Sequence, residues 1–446
     1  MSVITTILGT VALSICGFKI VQFLLSLVAT LRRLVYIRRH LPGPPPHWLY
    51  GNFRDPGFME PGFKWEQEAV SKYRRLLVFW MGWKPVVMLN HPDSIKPLLA
   101  TNIGRKAMDV LIDKLHVAAD EGEPVKTHET MSMLSLDVIL RCAFSHQSHC
   151  QEKESREVEV LEKLTNICAY RMFHPFMFYD FIFRLSSKYH EWKESYSYMH
   201  GIHDKIVTGR RRKYAKEKEP EKRAMDFLDT LLLAKDSNGN GLSEKEIRDE
   251  VSTFIFGGTD TTGSALTWFL YTMAQHTEEQ ARVQEEMDTL FAGRDDDTVR
   301  YEDLKKLTYT TQCLRESLRM YMNIPPSRVL REPLKVDGCT IPAGTSVVVN
   351  IYQAHHNPDV WGDDHMDFRP ERFERANVEK RDPFAFVPFS AGSRNCIGQQ
   401  FAMDELRSAA ARVFRRFSVS LVKGARPVFQ IVTKPDNEIL LKFSHR

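Results

Sequence analysis

Cys396 stands in the run FSAGSRNCIG, Phe389 to Gly398, where a loop with two glycines gives way to the apolar periodicity of a helix. A thiolate at such a junction is stabilised by the helix N-terminus and by unpaired backbone N–H groups. Gly392 and Gly398 remove side chains beside the sulfur, as needed if a flat macrocycle is to approach the backbone, and Arg394 offers a fork to a carboxylate on its rim. This is the environment of a heme-thiolate ligand, although a lone cysteine is more often a buried core thiol. A second pair, Asp260 and Thr261, sits inside an otherwise apolar helical stretch, where polar side chains are costly unless they find partners. The plain alternative is a threonine that bonds back onto its own helix. In a third group, Glu316 and Arg319 lie one turn apart and off an apolar stripe, free to pair with each other and with Arg372. The alternative there is a surface ion pair worth under about 1 kcal/mol.

Several elements must position these residues. Ser243 and Glu246 form a capping box that opens a long helix through EIRDEVSTFIFGGTDTTGSALTWFLYTMAQ. A second helix is predicted from about Glu302 to Tyr321, with Leu304, Leu307, Thr311, Leu314, Leu318 and Tyr321 on one stripe. VDGCTIPAGTSVVVNIY reads as a hairpin, turning at Asp337-Gly338 and ending in a strand from Thr345 to Tyr352. The last helix is predicted to begin at Cys396 and run through CIGQQFAMDELRSAAARVFRRF. DSNGNG, 236–241, lacks the bidentate Glu of a calcium loop, since its twelfth position is Ile247, and reads as a turn. The basic run from Gly209 to Arg223 reads as a solvated helix end and loop, with contact to lipid headgroups as the alternative.

The 446 residues, 43% hydrophobic and 26% charged, suit a folded chain rather than a disordered one. A net charge of +4 excludes a polyanion binder working by bulk charge, so nucleic acid is not an expected partner. Seven scattered cysteines without a CxxC pair fit neither a disulfide framework nor a structural zinc site. Val3 to Thr30 carries a single charge, Lys19, over a length that crosses a bilayer as a helix, and Arg32, Arg33, Arg38 and Arg39 follow it. The expected organisation is a transmembrane anchor over 1–31, a basic and proline-rich hinge over 32–46 and one domain over 47–446. The positive-inside rule puts that domain in the cytosol.

The ten residues around Cys396 match the pattern F-x-x-G-x-R-x-C-x-G, and the chain resembles the cytochrome P450 superfamily on four motifs in order. The others are GGTDTT at Gly257 to Thr262, the E-x-x-R pair Glu316 and Arg319, and FRPERF at Phe368 to Phe373. The resemblance implies a mainly α fold, heme-binding with small β-sheets, and a heme b cofactor whose iron is held by Cys396. Phe389, Gly392, Arg394 and Gly398 would frame it, with Arg328 as a second propionate donor and Arg331 as the fallback. It also implies that Glu316, Arg319 and Arg372 form a structural cluster that locks the Cys396 loop. Asp260 and Thr261 would relay protons during oxygen activation, the helix opening locally beside Gly257 and Gly258.

STFIFGGTDTTGSALTW, HHNPDVW and FSAGSRNCIGQQFAMDELR look most like family four of the superfamily, associated with oxidation of fatty acids and related lipids. That resemblance implies a lipid-like substrate, electrons from NADPH through a cytochrome reductase, cytochrome b5 as a further partner, and a single-pass location in the endoplasmic reticulum membrane. Phe254, Ile255 and Thr259 are expected to line the substrate pocket. Two departures stand out. Gly257 replaces a glutamate that many family-four members use to form an ester with a heme methyl. The family's helix with Trp and Arg at i and i+4 is absent, because HPDSIKPLLATN is followed almost directly by IGRKAMDVLIDKLHVAADEGEPVKTHETMS. The rival readings are a shortened, heme-deficient or inactive membrane-anchored relative, and a heme protein that rearranges peroxides without a reductase. The intact Asp260-Thr261 pair argues against the latter.

Overall fold

The computed structural model describes residues 76–81, 84–89, 103–152, 156–216, 226–234, 241–294, 296, 298–322, 324–336 and 338–446. The expected anchor and hinge, the junction at 90–102, 236–240 of the DSNGNG turn and the end of the basic run lie outside these residues. Among the described residues no helix is long and apolar enough to cross a membrane.

The chain forms two compact units, residues 1–101 and 102–446. In the first, β1 (Leu76–Met81) and β2 (Lys84–Leu89) pair antiparallel from Leu76 opposite Leu89 to Met81 opposite Lys84. The second unit is helical. In order it contains α1 (Ile103–Glu121), β3 (Val125–Lys126), α2 (Thr127–Phe144), α3 (Arg156–Phe173), α4 (Lys188–Lys216), α5 (Phe227–Leu233), α6 (Glu244–Gln275), α7 (Thr277–Leu290) and α8 (Thr308–Tyr321). The hairpin elements β4 (Ser327–Val329), β5 (Leu334–Val336), β6 (Cys339–Ile341) and β7 (Ser346–Val348) precede α9 (Gln399–Arg416). The chain ends in β8 (Phe417–Lys423), β9 (Pro427–Phe429), β10 (Thr433–Pro435) and β11 (Leu440–His445). Among the described residues all pairings are antiparallel, the largest sheet being the three-stranded order β3-β11-β8.

The long helix α6 is the axis of this unit. Its first turn is the expected capping box, the Ser243 hydroxyl accepting from Glu246 N at 3.2 Å and Glu246 Oε2 accepting from Ser243 N at 2.7 Å. Leu266, Trp268, Phe269 and Met273 pack into one buried cluster with Leu111 of α1, Leu134 of α2, Leu318 of α8 and Phe414 of α9. Each such side chain contributes about 1.5–3 kcal/mol on burial. Two glycines let α2 lie close against α6: a Cβ at Gly258 would sit 2.7 Å from Ile139 Cγ1, and one at Gly263 would sit 2.9 Å from Ser132 Cα.

Two predicted elements differ. The helix expected from Glu302 to Tyr321 is split into Tyr301–Leu304 and α8. Glu286 of α7 accepts from the backbone N of Tyr309 at 2.8 Å and of Thr310 at 2.9 Å, capping a fresh N-terminus there. The strand expected to reach Tyr352 stops at Val348, because Asn350 Oδ1 accepts from Gln353 N at 3.1 Å and caps a short helix, Ile351–His355.

Candidate functional site

The Cys396 loop is closed on itself before the helix begins. Cys396 N donates to Phe389 O at 2.9 Å, and the loop passes through left-handed backbone at Ser390 (φ +60°) and Gly392 (φ +79°). The last helix therefore starts at Gln399, with Gly398 as its cap, rather than at Cys396. A Cβ at Gly398 would lie 3.9 Å from Cys396 Sγ. Cys396 is exposed and its neighbour Ile397 is 86% exposed, whereas Phe389 packs against the main core. The buried-thiol alternative for Cys396 is thus excluded. Arg394 is exposed and makes no hydrogen bond or ion pair among the described residues. Arg328, on β4, is also exposed and donates to the Ser327 carbonyl at 2.8 Å. An accessible thiol, an apolar surround and guanidiniums with spare donors are what an iron macrocycle with carboxylate side arms requires.

Behind this loop the charged cluster forms as expected, and far more deeply than a surface ion pair. Glu316 and Arg319 are both 0% exposed. Arg319 Nε donates to Glu316 Oε2 at 2.7 Å and Nη2 to Oε1 at 2.8 Å, while Arg372 Nε stands 3.4 Å from Oε1. Arg319 also holds the carbonyls of His355 (2.8 Å), His365 (2.7 Å) and Asp367 (3.2 Å). Arg372 holds those of Trp361 (2.5 Å) and Asp364 (2.6 Å). The link to the cysteine loop is His355, whose Nε2 accepts from Val387 N at 2.9 Å, two residues before Phe389. Burial pushes the His355 pKa down to about 3, which keeps that nitrogen an acceptor.

On α6 the acid and alcohol face different surroundings. Thr261 donates to Gly257 O at 2.7 Å, and the helix runs unbroken from Glu244 to Gln275, without the expected local opening. Thr261 is thus bonded back onto its own helix, the plain alternative for this residue. Asp260 is buried, and its Oδ1 lies 2.8 Å from Nζ of Lys434, itself 2% exposed. The expected pocket-lining residues also move. Ile255 is buried against α2, α3 and α4, Phe254 stacks on Phe227 at 3.6 Å between centroids, and Thr259 is 1% exposed beside Asp260. The open face of α6 is instead that of Thr253 and Gly257, with space around Gly257 for at least 4 Å.

Two of the side chains that hold these residues, Lys434 and His355, were not signalled locally. Lys434 and Asp260 meet only through the tertiary fold, and His355 has no motif of its own. Glu405 does leave a trace, since it shares an apolar face of α9 with Leu406 and Ala409. It accepts from Ser135 Oγ at 3.0 Å, and burial lifts its pKa to about 8.

Residues 100–443 match the family model Cytochrome P450. Among curated proteins the chain is similar to the ultra-long-chain fatty acid omega-hydroxylase of Homo sapiens, 32% identical over 94% of this chain and 90% of that one. It is similar also to leukotriene-B4 omega-hydroxylase 3 of Mus musculus, 32% identical over 85% of each. The human alignment runs over 484 positions with 94% of these 446 residues, so the relative carries several tens of residues that this chain lacks. A crystal structure of a cytochrome P450 (CYP102L1) superposes with a TM-score of 0.67 at 19% identity, over 91% of this chain and 99% of that one. With the closed cysteine loop, the buried Glu-Arg-Arg brace and the matched family model together, the chain belongs to the cytochrome P450 family of heme-thiolate monooxygenases.

Proposed function

We propose that this chain inserts one oxygen atom of O2 into a C–H bond of a fatty acid or related lipid, with electrons from NADPH delivered by a flavoprotein reductase. Relatives named omega-hydroxylases of fatty acids and of leukotriene B4 support the substrate class. The apolar N-terminal run, Val3 to Thr30, supports a single-pass anchor in the endoplasmic reticulum membrane, where such substrates partition. The observation that carries the reading is the exposed thiol of Cys396, presented by a loop closed through Phe389 and flanked by Arg394, which has no partner among the described residues.

Cys396 would hold the heme iron, with Arg394 and Arg328 on its propionates. Bound there, heme supplies the oxygen and redox chemistry, and the thiolate pushes electron density onto the metal. Glu316, Arg319 and Arg372 act only on the loop, holding the carbonyls and His355 that fix its position. Thr261 keeps a proton at its Oγ1, directed at Gly257 O, on the open face of α6. Asp260, the preceding residue, is the acid of the pair, its carboxylate held by Lys434 at 2.8 Å. Gly257 offers no carboxylate, so heme is held without an ester to α6.

The test is the difference spectrum of the reduced, CO-treated protein. The full chain is expected to give a thiolate-type Soret band, and Cys396→Ala to abolish it while the fold persists. A band that survives the substitution refutes the ligand, and its absence from the full chain favours the shortened, heme-deficient alternative.

A further inference from the structure

A pocket of about 600 Å³ opens where the first turns of α8 meet the first turns of α9, bounded by the short helices Tyr301–Leu304 and Arg375–Val378. That volume lies within the roughly 300–1,000 Å³ of small-molecule sites. None of its lining residues comes from the Cys396 loop. Gln312 and Arg315 fall one turn apart on α8, and Asp404 and Arg407 do so on α9, so one polar face of each helix lines the same space. Leu304, Leu307, Phe373 and Val378 supply its apolar wall.

The charges in this pocket do not balance. Arg407 Nη1 lies 3.1 Å from Asp404 Oδ1, and Arg375 Nε lies 2.7 Å from Glu379 Oε1, so both lining carboxylates are already paired. Lys305 sits at the exposed rim, its ammonium 5.7 Å from the centroid of the Tyr301 ring. Arg315 is half-buried, and its guanidinium has no hydrogen bond or ion pair among the described residues. Burial, with Arg407 beside it, holds its pKa below the ordinary arginine value. A half-buried cation whose charged neighbour is another cation is costly, and an anion in the pocket relieves that cost. The Gln312 amide, one turn away, has no side-chain partner among the described residues either.

These groups define the occupant. One free guanidinium with an amide donor beside it suits a single carboxylate, taken in fork geometry. The second charge of a phosphate would face Asp404 and Glu379, and the apolar wall calls for a hydrocarbon chain behind the head. We infer that this pocket binds a fatty carboxylate, its head on Arg315 and Gln312 and its chain along Leu304, Leu307 and Phe373, at a site separate from the one beside Cys396. The inference goes beyond the proposed reaction and does not depend on heme. Arg315 adjoins Glu316 of the brace, and α9 leads on from the Cys396 loop, so the occupant ties together the two helices on either side of that loop's support.

The probe is dodecanoate labelled with carbon-13 at its carboxyl, titrated into the full chain and followed by NMR, with dodecanol and inorganic phosphate as competitors. The full chain is expected to show a bound carboxylate resonance that equal concentrations of either competitor leave in place. Arg315→Gln should weaken the binding behind that resonance about tenfold or more, the scale of a lost charge-assisted contact. Val378→Trp, at an exposed position, fills the pocket without touching its charges and should remove the same resonance, which keeps the test decisive if the Arg315 variant misfolds. Dodecanoate bound as substrate gives a resonance that neither change removes, so failure of this site and failure of the proposed function are read separately. No bound resonance, or one indifferent to both substitutions, overturns the site. Equal displacement by phosphate overturns the fatty carboxylate in favour of a plain anion, and equal displacement by dodecanol overturns the role of Arg315.

Discussion

Two arginines set the tone of this molecule. Arg319 is 0% exposed, and its guanidinium makes five hydrogen bonds, to both oxygens of Glu316 and to the carbonyls of His355, His365 and Asp367. That is the full donor capacity of the side chain. Arg394, in the loop that Arg319 helps to hold, is exposed and bonds to nothing among the described residues. The Arg319 guanidinium is satisfied within the chain, while Arg394 in the loop in front of it keeps its donors for something else. Finished hydrogen bonds mark the scaffold of this site, and unfinished ones mark where a ligand belongs.

The comparison breaks most sharply at Arg319. Arg319→Ala leaves Glu316 as a buried charge with Arg372 Nε 3.4 Å away, and three carbonyls lose a donor. The expected cost is about 3–5 kcal/mol, a large share of the ~5–15 kcal/mol of a typical domain. Arg319→Lys should recover little, since an ammonium cannot reproduce the planar fork. Urea midpoints measure both, and a midpoint for Arg319→Ala within error of the parent would show that the brace is dispensable.

Much of this contrast was legible in the sequence. Glu316 and Arg319 were visible as a pair because they fall one turn apart, and Ser243 with Glu246 because a capping box is a local device. Cys396 was visible because glycines, arginine and cysteine stand within ten residues. Depth of burial was not legible: nothing in L-R-E-S-L-R says that both charges are fully enclosed by α8 and the loop from His355 to Arg372. Which face of α6 stays open was misread at Ile255, because the rival apolar partners come from α2, α3 and α4. The ion pair of Asp260 with Lys434 was invisible for the same reason, being made by a strand far along the chain. Local chemistry is written in spacing, whereas long-range partners appear only once the helices are packed.

A second way to sharpen the comparison uses the absent Trp/Arg helix. A propionate deprived of cationic and N–H donors loses charge-assisted bonds of about 1.5–3 kcal/mol each. This chain should therefore bind heme more weakly, by roughly tenfold or more, than a version with that helix inserted between Asn102 and Ile103. Arg394→Ala should cost proportionally more heme in the shorter form, where Arg394 and Arg328 are the donors assigned so far. Heme titration of all four proteins is the measurement. Equal occupancy of the two parent forms would mean that another segment, such as Lys106 to His116 of α1, supplies the missing donors.

The smallest expected effect is the most discriminating, because it sets two thiols against each other. Cys313 of α8 is fully buried beside the brace, and desolvation raises its pKa well above that of a free thiol. Cys396 is exposed on the loop. Cys396→Ala should change the stability of the heme-free protein by less than about 0.5 kcal/mol, as is usual for exposed positions. Cys313→Ala should cost about 1 kcal/mol or more, through the cavity it opens. The same contrast should appear in thiol labelling followed by peptide mass analysis: Cys396 reacts readily, Cys313 only on unfolding. Added heme should then protect Cys396 while leaving the exposed Cys168 and Cys339 as reactive as before. Protection of all three alike would point to a general tightening of the fold, and protection of none would place the heme iron on some other ligand.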